Sequence, residues 1–141
     1  MPPTSKGRRS ACPLDYALDV FGDRWTLLVV RDLLFFQRVR FAELLQAGEG
    51  IATNILADRL RKLEAKGVVN RRPDPNNGRQ VLYSLTDKGL ALAPLMVEII
   101  RWSARFDPET AVPKELQERL GHDREGYLRE LLAQAKDEPN T

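Results

Sequence analysis

Basic side chains crowd the segment between residues 59 and 79. Guanidinium and ammonium groups bind phosphates and carboxylates, so a concentrated set of them is suited to a polyanion. Two acidic residues oppose these seven: Arg59, Arg61, Lys62, Lys66, Arg71, Arg72 and Arg79. From residue 107 to the end, nine acidic residues stand against five basic ones. This division of charge predicts that the basic segment binds a polyanion and that the acidic segment has a different role. The charges alone are equally consistent with surfaces that are simply exposed to solvent.

The reactive side chains offer little for catalysis. Cys12 is the single cysteine and His122 the single histidine, and they are far apart in the sequence. One cysteine excludes an internal disulfide and a cysteine-based zinc site. No Ser-His-acid set, phosphate-binding glycine loop or metal-ligand spacing occurs in the sequence. We therefore expect no enzymatic activity, no cofactor and no bound metal.

The stretch from Ile51 to Lys66 has the apolar spacing of an amphipathic helix. At about 100° per residue, Leu56, Leu60 and Leu63 fall on one side and polar residues on the other. Gly67 favours a helix stop. A shorter helical unit at residues 41–47 and a glycine-rich break at residues 48–50 precede this helix.

A basic hairpin is predicted directly after that helix. Residues 70–72 and 81–85 are extended in pattern, and the sequence Pro-Asn-Asn-Gly at 75–78 joins them. Asn-Gly favours a tight hairpin turn because both residues tolerate positive φ. Alternation along a strand places Arg71 and Arg72 on opposite faces, so only one of them shares a face with the hairpin tip.

Helical patterns flank this unit on both sides. Residues 14–36 have helical spacing with a break near Gly22, and a second run extends from the Thr86 N-cap to Phe106. Pro94 lies inside that second run and is expected to bend it. The pattern of residues 112–136 predicts one or two shorter helices, which we expect to pack on these flanking helices. We expect Trp25, Tyr83, Leu85 and Trp102 to be core residues.

The order of short helix, turn, helix and basic hairpin is that of a winged helix-turn-helix. The predicted fold class is mostly α with a small β-hairpin wing (α+β), a winged helix-turn-helix with flanking dimerisation helices. Three segments are expected: a flexible basic lead at residues 1–11, the winged domain at 12–106 and an acidic helical extension at 107–141.

Several spaced motifs place the chain beside a known family. In order they are Cys12-Pro13, "GDRWTLLVVRDLL" at 22–34, "RFAELLQ" at 40–46, "GIATNILADRLRKLEAKGVV" at 50–69 and "YSLTDKGLAL" at 83–92. Together they resemble the HxlR-type bacterial winged-helix transcription regulators, relatives of the MarR group. The resemblance covers about residues 12–106. It implies a homodimer that binds operator DNA, with the dimer built from the first and last core helices.

A recognition helix reads base edges with its N-terminal residues, and a wing reaches phosphates or the minor groove. In the helix we expect DNA contacts from Thr53, Asn54, Ala57, Asp58, Arg61 and Lys62, and in the wing from Arg71, Arg72, Asn76, Asn77, Arg79 and Gln80. Arg38 and Arg40, before the short helix, are candidates for contacts to the DNA backbone.

Three of these side chains carry more specific expectations. Asn54 can pair bidentately with adenine. A carboxylate is repelled by DNA, so Asp58 should accept from cytosine or orient an arginine. Arg59 is nearer the buried flank of the helix, where a structural ion pair and a DNA contact are both open.

Two interpretations of Cys12 also stay open. Arg8 and Arg9 lie just upstream and favour the reactive thiolate, as would a helix N-terminus. In the HxlR-type family a cysteine at this place serves some members as a sensor of oxidants or electrophiles. The alternative is a small buried hydrophobic residue under the dimer helices.

The predicted function is a sequence-specific regulator, a repressor that acts as a homodimer on an inverted-repeat operator of double-stranded DNA. Its signal would be an oxidant or electrophile at Cys12, or a small-molecule effector. The alternative is a winged helix that binds protein, which would not need the basic surface at Arg61, Lys62 and Arg79. No apolar run reaches the roughly 20 residues that span a bilayer, and the polar N-terminus is no secretory signal, so we expect no membrane association and a cytoplasmic location.

Overall fold

The computed structural model describes residues 10–136. Most of the predicted basic lead, including Arg8 and Arg9, lies outside these residues. Within them the helices are α1 Pro13–Phe21, α2 Thr26–Phe35, α3 Phe41–Leu45, α4 Thr53–Ala65, α5 Asp87–Leu90, α6 Ala93–Phe106, α7 Lys114–His122 and α8 Arg124–Lys136. Strands β1 Val69–Asp74 and β2 Asn77–Leu85 form one antiparallel hairpin between α4 and α5. The predicted mostly α fold with a β-hairpin wing is confirmed.

The break predicted near Gly22 is confirmed, and Asp23 lies just before the first turn of α2. Its carboxylate accepts hydrogen bonds from the backbone N–H groups of Trp25 at 2.8 Å and Thr26 at 3.0 Å, and from the Thr26 hydroxyl at 2.5 Å. Partial burial raises the pKa of Asp23, but these donors and Arg59 outweigh it and lower the pKa to about 2. A charged carboxylate therefore fixes the start of α2.

The wing turn lies two residues earlier than predicted. Asn77 and Gly78 belong to β2, and the turn consists of Pro75 and Asn76. Gly78 is not among the glycines with positive φ. The Asp74 carboxylate accepts from the Asn76 backbone N–H at 2.9 Å, and Pro75 sets the φ of the first turn residue, so Asp-Pro-Asn forms the turn instead of Asn-Gly.

The expectation of a bend at Pro94 is wrong. The run after the wing divides into two helices, and α6 begins at Ala93, which places Pro94 in its first turn. The missing N–H of a proline is tolerated at that position because the first turn has no intrahelical acceptor for it. The predicted N-cap is confirmed, since the Thr86 hydroxyl accepts from the Gly89 N–H at 3.1 Å.

Two apolar clusters share α2. Val29 and Leu33 face α4 and the hairpin, where they meet Leu56, Leu60, Leu63, Val68 and Tyr83. Val30 and Leu34 face the other way, toward Met96, Val97, Leu120, Leu128 and Leu131. The acidic extension therefore contributes α7 and α8 to the hydrophobic core, and it is part of the same folded domain.

Of the four side chains expected in the core, Trp102 is the exception. Tyr83 is buried, and Trp25 and Leu85 are half-buried. Trp102 is 68% exposed and packs mainly on Phe106, with ring centroids 5.7 Å apart. The predicted burial of Trp102 is therefore wrong for the described residues of one subunit.

Candidate nucleic-acid interface

Helix α4 buries one side and presents the other. Leu56, Leu60 and Leu63 are at most 2% exposed, which anchors the helix on α2 and α3. The opposite side carries the predicted contacts, and Thr53, Asn54, Ala57, Arg61 and Lys62 are all exposed. The N-cap residue provides no side-chain hydrogen bond, so the first N–H groups of α4 are open to an acceptor. This is the geometry required of a recognition helix.

The Asp58 carboxylate organises the basic side chains of α4. It accepts from Arg59 Nη1 at 2.5 Å and Arg61 Nη2 at 3.0 Å, and Lys62 Nζ lies 3.3 Å away. The hydrogen bond from Lys62 lowers the pKa of Asp58, partial burial opposes it, and the hydrogen bond from Arg61 and the charge of Arg59 lower the pKa further. Of the two roles expected for Asp58, the structure shows the orientation of arginines.

Arg59 forms a structural ion pair. Its Nε donates to Asp23 Oδ1 at 2.9 Å, across 36 residues of sequence, and its side chain is 19% exposed. The same carboxylate accepts from the first N–H groups of α2, so Arg59 connects α4 to the start of α2.

The wing leaves its predicted contacts at the surface, with one exception. Arg71, Asn76, Asn77, Arg79 and Gln80 are exposed. Arg72 is half-buried on the other face of β1, as the strand alternation predicted. Arg71 is therefore the arginine of this pair that remains open to solvent.

Arg40 and Arg38, the two candidates before α3, already have carboxylate partners. Arg40 donates to Asp74 Oδ2 through Nη2 at 3.0 Å and Nε at 3.3 Å. Arg38 Nη1 lies 2.6 Å from Oδ1 of the buried Asp32 and its guanidinium stacks 4.6 Å from the Phe36 ring. A contact of either arginine with DNA stays a prediction. In such a contact, the same guanidinium would bind both a DNA phosphate and its carboxylate partner within the protein.

Cys12 lies at the N-cap of α1. Its backbone N–H donates to the Ser10 hydroxyl at 3.1 Å, and its carbonyl accepts from Tyr16. The thiol is free and half-buried. The predicted place beside a helix N-terminus is confirmed.

Sequence reasoning missed the carboxylates that hold this surface together. Asp23, Asp32 and Asp74 each bind an arginine of the region, and Asp32 and Asp74 are 3% exposed. The available signal was an acidic residue within an otherwise basic or apolar stretch, because such a charge is rarely buried without a partner.

A short helix, an exposed second helix anchored by leucines and a basic hairpin beside it define the winged helix-turn-helix class. The model of the HxlR-like helix-turn-helix family matches residues 20–111, and the chain belongs to that family. No helix among residues 10–136 is long and apolar enough to cross a membrane.

Relatives and solved structures agree with this assignment. The HTH-type transcriptional regulator YvaP of Bacillus subtilis strain 168 is 40% identical over 99 residues, which cover 69% of this chain and 91% of YvaP. The crystal structure of PA1607 superposes with a TM-score of 0.68 at 40% identity, covering 77% of this chain and 76% of PA1607. The reduced form of the B. subtilis transcriptional regulator YodB gives 0.58 at 31% identity, covering 72% and 99%. YodB is also known in diamide-treated and quinone-bound forms.

Proposed function

We propose that this protein is a transcriptional regulator, a repressor, that binds double-stranded operator DNA as a homodimer. The exposed row of α4, held rigidly by its buried leucines, carries this proposal. In it, α4 enters the major groove with Asn54 and Arg61 toward the bases, and Arg71 and Arg79 of the wing contact the backbone. A DNA regulator of this kind acts in the cytoplasm.

The apolar surface that residues 10–136 leave exposed supports the homodimer. Leu14 and Leu18 of α1 are 73% and 60% exposed, and Trp102 and Phe106 of α6 are 68% and 62% exposed. An apolar groove of about 530 Å³ runs between α1 and the start of α6. Exposed apolar surface of this kind marks an interface, and a second copy would bury both helices. The operator would then be an inverted repeat.

Titration of fluorescent duplex DNA at two salt concentrations tests DNA binding. A protein that releases counterions from several phosphates loses affinity steeply as salt rises. Absence of binding even at low salt would support the alternative, a winged helix that binds protein. If the protein binds DNA, selection from a random DNA pool would give the half-site sequence and the symmetry of the operator.

Cys12 is the proposed site of an oxidant or electrophile signal. The thiol stands at the start of α1, the helix that contributes Leu14 and Leu18 to the apolar face. The quinone-bound and diamide-treated structures of the relative YodB support a reactive signal of this class. Modification beside the dimer seam would change the spacing of the two recognition helices and release DNA.

The test is DNA binding before and after diamide or quinone treatment, for wild type and Cys12→Ser. Loss of affinity in wild type alone supports the proposal. Full affinity with Cys12 shown to be modified by mass spectrometry would reject it, as would an equal response of the serine variant.

A further inference from the structure

Lys88 connects the first helix to the end of the recognition helix. Its Nζ donates to the Tyr16 hydroxyl of α1 at 2.8 Å and to the Lys66 carbonyl oxygen at 2.9 Å. Lys66 is the C-cap of α4, and Lys88 itself belongs to α5. The ammonium also lies 5.3 Å from the centre of the Tyr16 ring. One side chain therefore joins three helices, across 72 residues of sequence to α1 and 22 residues to α4.

The acceptor on α4 is a backbone group that favours a cation. The last carbonyls of a helix lack intrahelical partners and form the negative end of the helix dipole. Thr86 holds the same segment, because its hydroxyl donates to the Gly67 carbonyl at 2.5 Å. Gly89 packs so closely that an added Cβ would clash with the Val68 carbonyl oxygen. Residues 86–89 thus hold the segment that leads from α4 into the wing.

Helix α1 has no fully buried residue to fix its position, and Tyr16 is 42% exposed. Helix α4, in contrast, is anchored by buried leucines. A helix with few buried contacts moves against the core at a lower free-energy cost than one that is anchored in it. The Lys88 hydrogen bonds give α1 a polar link to α4, and the position of α1 can therefore be felt at the end of α4.

Lys88 also lines the apolar groove between α1 and α6. Among the described residues that line this groove, Lys88 is the only charged one. In the proposed homodimer a second copy covers the groove, so the ammonium loses water and depends on the two oxygens that it already binds. Hydrogen bonds to a desolvated charge are stronger than exposed ones, so assembly strengthens the link between α1 and α4.

The same link reaches the proposed signal site. The Tyr16 backbone N–H donates to the Cys12 carbonyl at 3.0 Å, which places Tyr16 one turn after Cys12. A modification that displaces the first turn of α1 therefore displaces the hydroxyl that Lys88 binds.

We propose that Lys88 is a positioning residue that couples the placement of α4 to α1. This inference rests on the proposed function for its consequence: a dimer seam or a modified Cys12 that shifts α1 changes the position of α4 in the major groove. The coupling itself is a property of the free protein, and it can be measured without DNA.

Amide hydrogen exchange at the end of α4 measures the coupling in the full chain. Tyr16→Phe removes the hydroxyl from α1 and keeps the ring, and we expect exchange of the Lys66 and Gly67 amides to become roughly two- to fivefold faster. Lys88→Met should have at least as large an effect, and Lys88→Arg should retain the slow exchange. Lys114→Met, which removes an exposed lysine of α7, is the control and should change nothing.

The double variant isolates the Lys88 bond from any other contact of Tyr16. In the Lys88→Met background, Tyr16→Phe should add nothing to the exchange rate at the end of α4. Effects that add in full would overturn the inference. So would unchanged exchange at the end of α4 in Tyr16→Phe, or an equal acceleration at the buried Val30 amide, which indicates a general loss of stability.

Operator titration is scored separately. Lys88→Met should weaken binding to all DNA sequences by roughly two- to tenfold and leave the slope of log affinity against log salt concentration unchanged, because no phosphate contact is removed. A slope reduced by about one, with Tyr16→Phe at wild-type affinity, would make Lys88 a phosphate contact and overturn the inference. Altered exchange without operator binding rejects the proposed function and retains the coupling, and operator binding with unchanged exchange does the reverse.

Discussion

Arg40 and Asp74 join the helix-turn-helix to the wing through two hydrogen bonds. Arg40 is the N-cap residue of α3, and Asp74, at 3% exposure, is the last residue of β1 before the wing turn. The second oxygen of Asp74 closes the turn through Asn76. The Asn76 hydrogen bond and then Arg40 lower the pKa of Asp74 against its burial. The pair thus fixes the angle at which the wing leaves the core.

We expect Asp74→Asn and Arg40→Gln each to weaken DNA binding by roughly three- to tenfold on all sequences, because a loosened wing loses contacts that carry no base information. The double variant should be no weaker than either single variant, since both remove the same interaction. Fluorescence anisotropy with a set of duplexes measures these affinities.

A direct phosphate contact by Arg40 predicts a different pattern. Arg40→Gln would then flatten the salt dependence by about one unit of slope. Asp74→Asn would strengthen binding, because it removes a negative charge next to DNA. Tighter binding of Asp74→Asn would therefore contradict the positioning role.

Asp23→Asn should destabilise the fold in a pH-dependent way. The folded pKa of Asp23 is about 2 and its ordinary value is 3.8, so the charged carboxylate stabilises the fold above pH 4, and this contribution disappears as the pH falls through 2. After allowance for partial exposure, the loss at pH 7 is about 1–2 kcal/mol. Urea unfolding between pH 7 and pH 2.5 measures the difference, with Asp19→Asn, exposed on α1, as the control. A difference that stays constant over this range would rule out the charge as the cause.

Structural features that depend on neighbouring residues were predictable from the sequence, whereas contacts between residues far apart in the sequence were not. The spacing of Leu56, Leu60 and Leu63 sufficed for α4, because helical periodicity is a property of neighbouring residues. The partner of Arg40 lies 34 residues away, and no local pattern indicates which carboxylate the fold will bring to it. The same pair bears on the position of the wing turn, which was predicted at Asn77 and Gly78. Asp74, which is bound by Arg40, closes the turn through the Asn76 N–H and pairs with Asn77 across the hairpin.

Asn54 and Arg79 should respond differently to alanine. Asn54→Ala is expected to relax preference at one base pair by roughly 1–3 kcal/mol, since it removes a base-edge contact. Arg79→Ala is expected to weaken binding to all DNA sequences alike, since it removes a phosphate contact. It should also reduce the slope of log affinity against log salt concentration by about one. Binding to single-substitution variants of the selected site separates the two. Unchanged preference in Asn54→Ala would place the recognition surface elsewhere on α4.

Leu131 should be as important to the fold as a residue of the winged core. It is 4% exposed in the cluster that includes Val30, Leu34 and Val97. Leu131→Ala is expected to lower the free energy of unfolding by about 2–5 kcal/mol, with a smaller effect from the half-buried Leu132. Urea unfolding of both variants tests this. An unchanged midpoint for Leu131→Ala would show that α8 is dispensable for the core.

Trp102 should matter to assembly and little to the fold of one subunit. Because its side chain is 68% exposed and rests on Phe106, Trp102→Ala leaves no cavity in the described core. If α6 forms the dimer seam, the same change removes a large aromatic from its centre, which costs about 2–4 kcal/mol of association. Light scattering should then show a folded monomer at concentrations where the wild type is a dimer. Binding to a full inverted repeat should weaken and become concentration-dependent, whereas Arg71→Ala should weaken DNA binding and stay dimeric. A Trp102→Ala protein that remains dimeric would move the interface away from this end of α6 and toward the groove beside Leu14 and Leu95.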